Sequence, residues 1–448
     1  MDDLKEMSSE LFDLASSVEQ LGPINNGVLY PNYREVSCQK SIEGASFPSG
    51  QQVFRFNVSG TTWWCPEKTY MSFRVALTDE KKQTLPTGTD IGPNMGLIAN
   101  LYSSIELRMG GKVVQRISQF MPQIDSLLHR TTKSDAWLNS IGESTNFWNV
   151  DFDTRKAEIN DPALTANGYG VREMIWRPCL PLFHMFKGCL PSGDYEIVLN
   201  PKSSSDYKRQ VFESGEALAV PGVNCDFEVQ RVQLKVATVE GPRVDSKQYA
   251  ISLNHIECQS SKLLGSGGLS QQYFSVSPAT KALCVAYQDN RLTNGEVSAS
   301  KYVISSLTDP QDQIPSFRRG ADYLSRLYLQ YDGLKRPEID ATPRFDRSGA
   351  LKTLQVQERY YQSLTETGMI FNDAGAESLE VWQQRGPYYF FNWNRSTNSG
   401  ATRVQVNQEF SQPESVTNGN VLLFSISETS AIVTVRNGDI TSVEQVDR

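Results

Sequence analysis

The residue types that most often hold metal ions or act in catalysis are sparse in this sequence. The three histidines are His129, His184 and His255, and none has a second histidine three to five residues away, which is the spacing of a zinc-binding pair. Glu257 and Cys258 follow His255 closely enough to offer part of a metal site. Such a half-site is more often a coincidence, so we predict no zinc centre.

Three further patterns could carry chemistry, and each lacks a required part. Asp151 and Asp153 could bind a divalent cation, but carboxylates in a polar loop are more often solvated. The glycine-rich run 265–268 lacks the lysine and the strand-to-helix context of a phosphate-binding loop. No G-x-S-x-G turn is present for a serine nucleophile. We therefore expect no catalytic residue, no cofactor and no metal, and a protein that is not an enzyme.

Trp63 and Trp64 could form a platform for a sugar ring. Adjacent residues of a strand point to opposite faces, so we expect one tryptophan in a core and the other at an interface. A glycan hydrolase would need two carboxylates in one cleft, and the sequence neither supports nor excludes that arrangement. A soluble tandem β-sandwich protein that binds or hydrolyses carbohydrate is therefore the alternative function.

Composition and charge restrict the class of protein. The chain has 448 residues and a formal net charge of −8, which disfavours tight binding to nucleic acid or an anionic membrane. Seven cysteines without a C-x-x-C motif or a repeated spacing indicate buried thiols in a reducing compartment. The acidic N-terminus lacks the apolar core of a secretory signal, and no apolar run is long enough to span a bilayer. We expect a protein that is not secreted.

The second half of the chain repeats the strand pattern of the first half. In the stretch 97–111 apolar residues alternate with polar ones before Gly110-Gly111, and in 321–333 they do so before Asp332-Gly333. The alternating residues are Ile105, Leu107 and Met109 in the first copy, and Leu327, Leu329 and Tyr331 in the second. A period of two predicts a half-buried strand, and the glycine dipeptides predict a tight turn.

Other segments recur in the same order and at a similar offset. The pairs are Phe54, Phe56 and Val58 with Phe274 and Val276; Met71, Phe73, Val75 and Leu77 with Leu283, Val285 and Tyr287; Leu182-Phe183 with Tyr389-Phe390; and Ile197 and Leu199 with Val404 and Val406. The offset stays near half the chain length, as a tandem duplication would give. We therefore predict two similar β domains.

The segments between these strands complete the prediction. Helical insertions are predicted near 121–129 and at 352–363, at comparable places in the two halves. Strands are predicted at 195–199, 227–239, 421–426 and 431–435, with a turn at Asn437-Gly438. Residues 149–172 are predicted to form a long exposed connection, and 240–247 the joint between the domains.

Residues 1–21 differ from the rest of the chain because their apolar side chains follow a helical period. The stripe consists of Leu4, Met7, Leu11, Leu14, Val18 and Leu21. These residues share one face of a helix that ends at Gly22-Pro23, and the other face is acidic, which disfavours anionic lipid. The helix either packs under its own domain or docks on a neighbouring subunit. An extended arm is predicted for 22–50.

The duplicated pattern resembles that of double jelly-roll major capsid proteins. The strand-turns SIELRMGGK and SRLYLQYDG and the leading segment FNV…TYMSFRVALTD are similar to those of polinton-like viruses, virophages and adintoviruses. The resemblance covers nearly all of the chain beyond the N-terminal helix. It implies an all-β fold with two tandem eight-stranded jelly rolls, short helical insertions and an N-terminal amphipathic helix. The implied division is helix and arm over 1–44, first jelly roll over 45–240 and second over 241–448.

The function that the resemblance implies is structural. Three chains would form a pseudo-hexagonal capsomer, and many capsomers would tile the icosahedral shell of a double-stranded DNA virus. The implied partners are copies of the chain, neighbouring capsomers, and penton and minor capsid proteins, without sequence-specific nucleic acid. The implied location is the virion, after synthesis in the host-cell cytoplasm, and contact with an internal membrane stays open. The N-terminal stripe is then expected to contact neighbours beneath the capsomer. A minor or vertex capsid protein is a weaker alternative, since those usually carry one jelly roll.

Overall fold

The computed structural model describes two β-sandwiches, one after the other along the chain. The described residues are 32–38, 50–79, 91–93, 96–133, 135–138, 140, 171–186, 188–202, 212–214, 225–240, 246–263, 269–289, 324–331, 334–341, 354–366, 379, 382, 387–392, 402–410, 419–437 and 439–446. None of the helices within these ranges is long and apolar enough to cross a membrane.

The first sandwich is formed by two antiparallel sheets. Its strands are β1 (Asn32–Ser37), β2 (Gln52–Val58), β3 (Thr62–Trp64), β4 (Tyr70–Asp79), β5 (Ile91–Pro93), β6 (Tyr102–Met109), β7 (Lys112–Ile117), β8 (Val171–Trp176), β9 (Gly193–Pro201), β10 (Phe212–Ser214) and β11 (Cys225–Glu240). Its helices are α1 (Leu97–Asn100), α2 (Met121–Thr132), α3 (Asp135–Leu138) and α4 (Pro181–His184), with a 3-10 turn at Pro66–Lys68. One sheet has the order β1-β11-β4-β8, with β3 also paired to β11, and the other has the order β2-β9-β6-β7. Strands β5 and β10 pair with each other.

The second sandwich follows the same plan. Its strands are β12 (Ser246–Lys262), β13 (Leu269–Val276), β14 (Thr280–Asp289), β15 (Leu324–Tyr331), β16 (Leu334–Ala341), β17 (Tyr389–Asn392), β18 (Thr402–Phe410), β19 (Gly419–Arg436) and β20 (Asp439–Val446), and its helix is α5 (Leu354–Glu366). The sheets have the orders β12-β19-β14-β17 and β13-β18-β15-β16, and β20 adds to the first of them beside β19.

The strand order identifies each sandwich as a jelly roll. When β3, β5, β10 and β20 are set aside, each sandwich has eight strands whose order in the two sheets is 1-8-3-6 and 2-7-4-5. The first strand therefore lies beside the last, which is the arrangement produced by two successive Greek keys. Both halves have this order, so the predicted all-β fold of two tandem eight-stranded jelly rolls is confirmed.

Alternating side chains fill the space between the sheets of each sandwich. In β13 every second residue is buried, and β2 follows the same rule with Phe54, Phe56 and Val58. Each fully buried phenylalanine or valine side chain contributes roughly 1.5–3 kcal/mol to folding. The period of two in the sequence is therefore the period of burial, which is why these strands were predictable.

Most of the predicted correspondences between the halves are confirmed by the topology. Strand β6 is equivalent to β15, β2 to β13, β4 to β14, and β9 to β18. The predicted helical insertions are also confirmed: α2 follows the fifth strand of the first jelly roll, and α5 follows the fifth strand of the second. The turn prediction is supported at Asn437, which has a positive φ of 55°.

Several sequence predictions are wrong in detail. The pair Leu182-Phe183 lies in α4, whereas Tyr389-Phe390 lies in β17, whose equivalent is β8; a buried apolar pair has no period that separates helix from strand. Within the predicted arm over 22–50, residues Asn32–Ser37 form an edge strand paired with β11. The two closing strands at 421–426 and 431–435 are one strand, because the polar residues between them stay paired with β12.

Some predictions fall on residues outside the described ranges. These are the N-terminal helix over 1–21, the connection over 149–170, and residues 241–245 of the predicted joint. Val171 and Arg172, predicted to end that connection, already belong to β8.

Candidate functional site

The helix α2 is covered on all sides by the two jelly rolls. All of its residues are buried, whereas a helix on the surface of a domain normally keeps a polar face in water. Towards the first jelly roll, the indole Nε1 of Trp176 donates to Asp125 Oδ1 at 3.3 Å. Towards the second, Gln123 Nε2 donates to Gln288 Oε1 of β14 at 3.2 Å. The helix therefore forms a layer between the sandwiches.

A buried arginine strengthens the contact of α2 with the second jelly roll. Arg130 is only 1% exposed, and its guanidinium carbon lies 4.7 Å from the centre of the Tyr388 ring. A cation over an aromatic face is attracted by the ring quadrupole, and this attraction grows when water is excluded. Because an isolated buried charge is costly, this contact favours keeping the two jelly rolls together.

Gln115 on β7 connects three elements at the same interface. Its Nε2 donates to the carbonyl of Asn254 on β12 at 2.6 Å, and its Oε1 accepts from the backbone N–H of Leu182 in α4 at 3.2 Å. The side chain is 2% exposed, so both ends of the amide are satisfied inside the protein. A buried amide bonded at both ends fixes the relative position of the strands that it joins.

The C-terminal strand β20 extends the interface to the edge of the first jelly roll. Gln445 Nε2 donates to the carbonyls of Val114 and Val113 at 3.1 and 3.3 Å. Ile440 fills the space over Gly193, where an added Cβ would lie 2.6 Å from Ile440 Cγ1. It also covers Gly110, a turn residue with a φ of +53°. Strand β20 thus packs against β9 and the β6–β7 hairpin.

Trp63 and Trp64 point to opposite faces of β3, as the sequence predicts. Trp64 is in the core of the first jelly roll, with its ring centre 5.1 Å from that of Phe56 and 4.7 Å from that of Tyr195. Trp63 faces the other way, and its ring centre lies 6.4 Å from that of Tyr249 on β12. The prediction of one core and one interface tryptophan is confirmed. Both are buried, so neither offers a platform to a sugar.

These contacts join the two jelly rolls into one body. Most of the buried apolar side chains of both sandwiches form one continuous cluster. Buried polar groups connect the jelly rolls at α2 and β7, and the exposed Gln445 connects them at β20. In β14, residues 282–288 are all buried. One face of this strand covers its own core, and the other covers the first jelly roll. The sequence predicted two domains, but only the structure identified the residues that orient the domains relative to each other.

The fold brings together two histidines that lie far apart in sequence. The imidazole centres of His129 on α2 and His184 on α4 are 5.1 Å apart. Burial, together with the nearby His129, Lys133 and Arg177, holds the pKa of His184 well below its usual value. Burial also lowers the pKa of Lys133 to about 7, and Arg177 adds to that decrease. The surroundings therefore favour the uncharged forms of His184 and Lys133.

The described residues hold no metal-binding cluster and no activated thiol at this place. No group of three or more histidine, cysteine, aspartate or glutamate side chains is close enough there to bind a metal ion. Burial and the neighbouring Asp125 raise the pKa of Cys179 well above its usual value, so its thiol stays protonated. The proposed half-site on β12 is divided between faces, since Glu257 is exposed and Cys258 is buried, and His255 Nε2 contacts Thr429 Oγ1 at 2.8 Å.

The other candidate residues of the sequence lie outside the described ranges. They are Asp151 and Asp153, the glycine run 265–268, and the stripe residues Leu4, Met7, Leu11, Leu14, Val18 and Leu21. The stripe therefore stays a prediction.

Comparison of the fold with solved structures finds full-length matches. A chain of the Sputnik virophage structure matches with a TM-score of 0.59 and 11% sequence identity, over 95% of this chain and 91% of that chain. The fold is that of a double jelly-roll capsid protein. A chain of the PBCV-1 virus capsid matches this double jelly roll with a TM-score of 0.52 and 8% identity, over 96% of this chain and 100% of that chain. The Faustovirus major capsid protein matches it with a TM-score of 0.51 and 8% identity, over 96% and 98%. No protein-family model and no curated protein sequence matches the chain.

Proposed function

We propose that this chain is a major capsid protein and forms the shell of an icosahedral double-stranded DNA virus. The observation that carries the proposal is the match of both jelly rolls, over 95% of the chain, to a chain of the Sputnik virophage. One of the other matching chains is itself described as a major capsid protein. The role is structural, so the working parts of the molecule are its surfaces and the interface that orients its two domains.

The duplicated fold suits a lattice of hexagonal units. A trimer of a two-domain chain presents six similar sides, and six similar sides can meet six neighbours in a closed shell. This requires the two jelly rolls to keep a fixed relative orientation, and the contacts of α2, Gln115 and β20 between the jelly rolls support such an orientation. We therefore propose a homotrimer with a pseudo-hexagonal outline as the capsomer.

The finer assembly contacts are part of the same proposal. The helix predicted for residues 1–21 would carry six apolar side chains on one face and acidic residues on the other. A face of this kind is stable only when it is covered, and we propose that a neighbouring capsomer or an internal minor protein covers it. Penton and minor capsid proteins complete the set of proposed partners.

The capsomer is tested by the mass of the purified chain in solution. Light scattering after size-exclusion chromatography should give three times the 50.2 kDa mass of one chain, unchanged on dilution. Negative-stain images of the same peak should show particles with a hexagonal outline. A compact monomer at every concentration, with no larger species in the images, would overturn the proposal.

A further inference from the structure

Two cysteines that are distant in sequence meet at the edge of the first jelly roll. The Sγ atoms of Cys65 and Cys189 lie 2.8 Å apart, although the residues are separated by 124 positions. Both are reduced, with Cys65 buried and Cys189 partly exposed. We propose that this pair is an oxidation site that forms an intramolecular disulfide by exchange with a small-molecule disulfide of the glutathione type.

The backbone pairing beside the two cysteines favours the spacing of a disulfide. Trp64 and Leu190 exchange two backbone hydrogen bonds, of 2.9 and 2.7 Å, in an antiparallel bridge. Cys65 and Cys189 are the next residues of the two paired segments, so the antiparallel pattern places them opposite each other without mutual backbone hydrogen bonds. The Cα atoms of such pairs are about 4.5 Å apart, which lies within the range of roughly 4.4–6.8 Å found for disulfides.

The rest of the backbone holds Cys65 in place. Its N–H donates to the carbonyl of Ala237 on β11 at 2.8 Å, and its carbonyl accepts from Thr69 Oγ1 at 2.9 Å. The sulfurs need to approach by less than about 1 Å to reach the bond length of a disulfide. A rotation of the two side chains can supply this movement without a change in strand pairing.

The surroundings decide which cysteine reacts first. The hydrogen bond with Cys189, together with burial, raises the pKa of Cys65 far above its usual value, so Cys65 stays a thiol. Cys189 is reachable from solvent, and its thiolate attacks one sulfur of the small disulfide, releasing one small thiolate and leaving a mixed disulfide on Cys189.

The second step closes the bond. The sulfur of Cys65 attacks Cys189 Sγ as its proton passes to the departing small thiolate. The Cys65–Cys189 bond forms, and the bond between Cys189 and the small molecule breaks. In total two protein thiols are oxidised by two electrons, and one small disulfide is reduced to two thiols.

The position of the bond suggests what it would do. Cys65 belongs to an apolar cluster with Trp63, Ala237 and Val239, and Cys189 packs against that cluster. Trp63 in turn contacts Tyr249 of the second jelly roll. A disulfide here would close a loop of more than a hundred residues. It would also fix the end of β3, the strand whose Trp63 contacts the second jelly roll. If the proposed capsid function holds, the shell would assemble with reduced thiols inside the cell and gain this bond after release.

The experiment uses the full chain, purified under reducing conditions and then incubated with oxidised glutathione. Thiol titration of the denatured protein should fall by two from the seven cysteines of the sequence, and intact mass should show the loss of two hydrogens. Peptide mapping should recover one cross-linked pair, containing Cys65 and Cys189. The Tm should rise by about 5 °C or more, since a bond that closes a long loop restricts the unfolded chain.

Matched variants separate this site from the other thiols. Cys38 is also partly exposed, and Cys38→Ser should still form the bond, whereas Cys189→Ser should form none. The reaction of Cys65→Ala should stop at the mixed disulfide on Cys189. If Cys65→Ala does not fold, Cys38→Ser, Cys189→Ser and the peptide mapping of the natural chain still test the proposal. The proposal is overturned if the natural chain keeps all its thiols or carries only mixed disulfides. Since the titration does not depend on oligomeric state, that result would leave the capsomer proposal standing.

Discussion

The protonation of His184 depends on its burial and on its charged neighbours. His184 Nε2 donates to the carbonyl oxygen of Pro178 at 3.0 Å, and the imidazole faces His129, Lys133 and Arg177. These cationic or potentially cationic neighbours and the low exposure both disfavour protonation of the imidazole. The folded protein therefore holds His184 in its neutral form at a pH where an exposed histidine would begin to charge.

This burial predicts acid sensitivity. The pKa of His184 in the folded chain lies below its unfolded value of about 6.5, so the unfolded chain takes up the proton first. The contribution of the neutral His184 to the free energy of unfolding is complete above about pH 6.5, the unfolded pKa, and is lost as the pH falls below that value. We expect the Tm to decrease between pH 7 and pH 5, and to decrease less in His184→Gln. Differential scanning fluorimetry across this range measures both slopes.

The second jelly roll offers a matched control for the pH experiment. His255 is partly buried on β12 and contacts Thr429, outside the cluster of His184. His255→Gln should keep the slope of the natural chain. Equal slopes in His184→Gln and the natural chain would show that another group controls the response to acid.

The sequence predicted the directions of some side chains but did not predict the contacts between residues that are distant in sequence. The opposite directions of Trp63 and Trp64 follow from strand geometry, which is local. The approach of His129 to His184 depends on which helices become neighbours, and that of Cys65 to Cys189 depends on which extended segments do. No spacing along the chain records that, so a search for close pairs in the sequence could not find either contact.

Strands and helices were more predictable than single contacts because each carries its own period. The alternation in β6 and its copy in β15 identified the same strand of both jelly rolls, and the helices α2 and α5 were located correctly between equivalent strands. The errors occurred where the period is absent. Strand β1 is mostly exposed, and the polar residues in the middle of β19 resemble a loop. Pairing with β11 and β12, respectively, keeps these segments extended.

The packing of β20 on β9 predicts that one methyl group added at Gly193 lowers the stability of the protein. In Gly193→Ala the new Cβ would lie 2.6 Å from Ile440 Cγ1, so Ile440 or β20 must move. Overpacking of this kind costs about 1–3 kcal/mol, and we expect a lower urea midpoint. Ile440→Ala in the same chain should recover part of the loss, which a double-mutant cycle measures.

A second glycine provides the control for this substitution. An added Cβ at Gly50 would meet no atom within 4 Å, so Gly50→Ala should leave the midpoint nearly unchanged. If Gly193→Ala were equally neutral, or if Ile440→Ala added its full cost to that of Gly193→Ala, the packing of β20 would not be the cause.

The duplication in the sequence predicts the strand order of both jelly rolls, but it does not predict how the jelly rolls are placed relative to each other. Two copies of one strand order were visible as repeated patterns, but their relative placement depends on contacts of Gln115, Gln123 and Arg130 with the other jelly roll, and a repeated pattern does not record such contacts. These residues bury polar groups between the domains, and each has a partner there. In the proposed capsomer, a fixed orientation of the two jelly rolls within each chain would allow three chains to present six similar sides.

Contacts between capsomers lead to the last prediction, which concerns the stripe of residues 1–21. The paired change Leu11→Glu and Leu14→Glu would place two charges on the predicted apolar face and should prevent the burial of that face against a neighbour. We expect trimers of normal mass by light scattering, but few or no shells in negative-stain images under conditions where the natural chain assembles. The matched control Glu10→Gln with Asp13→Asn changes the acidic face alone and should assemble normally. Loss of trimers in the stripe variant would instead show that the helix packs within its own capsomer, and normal shells would show that the stripe takes no part in assembly.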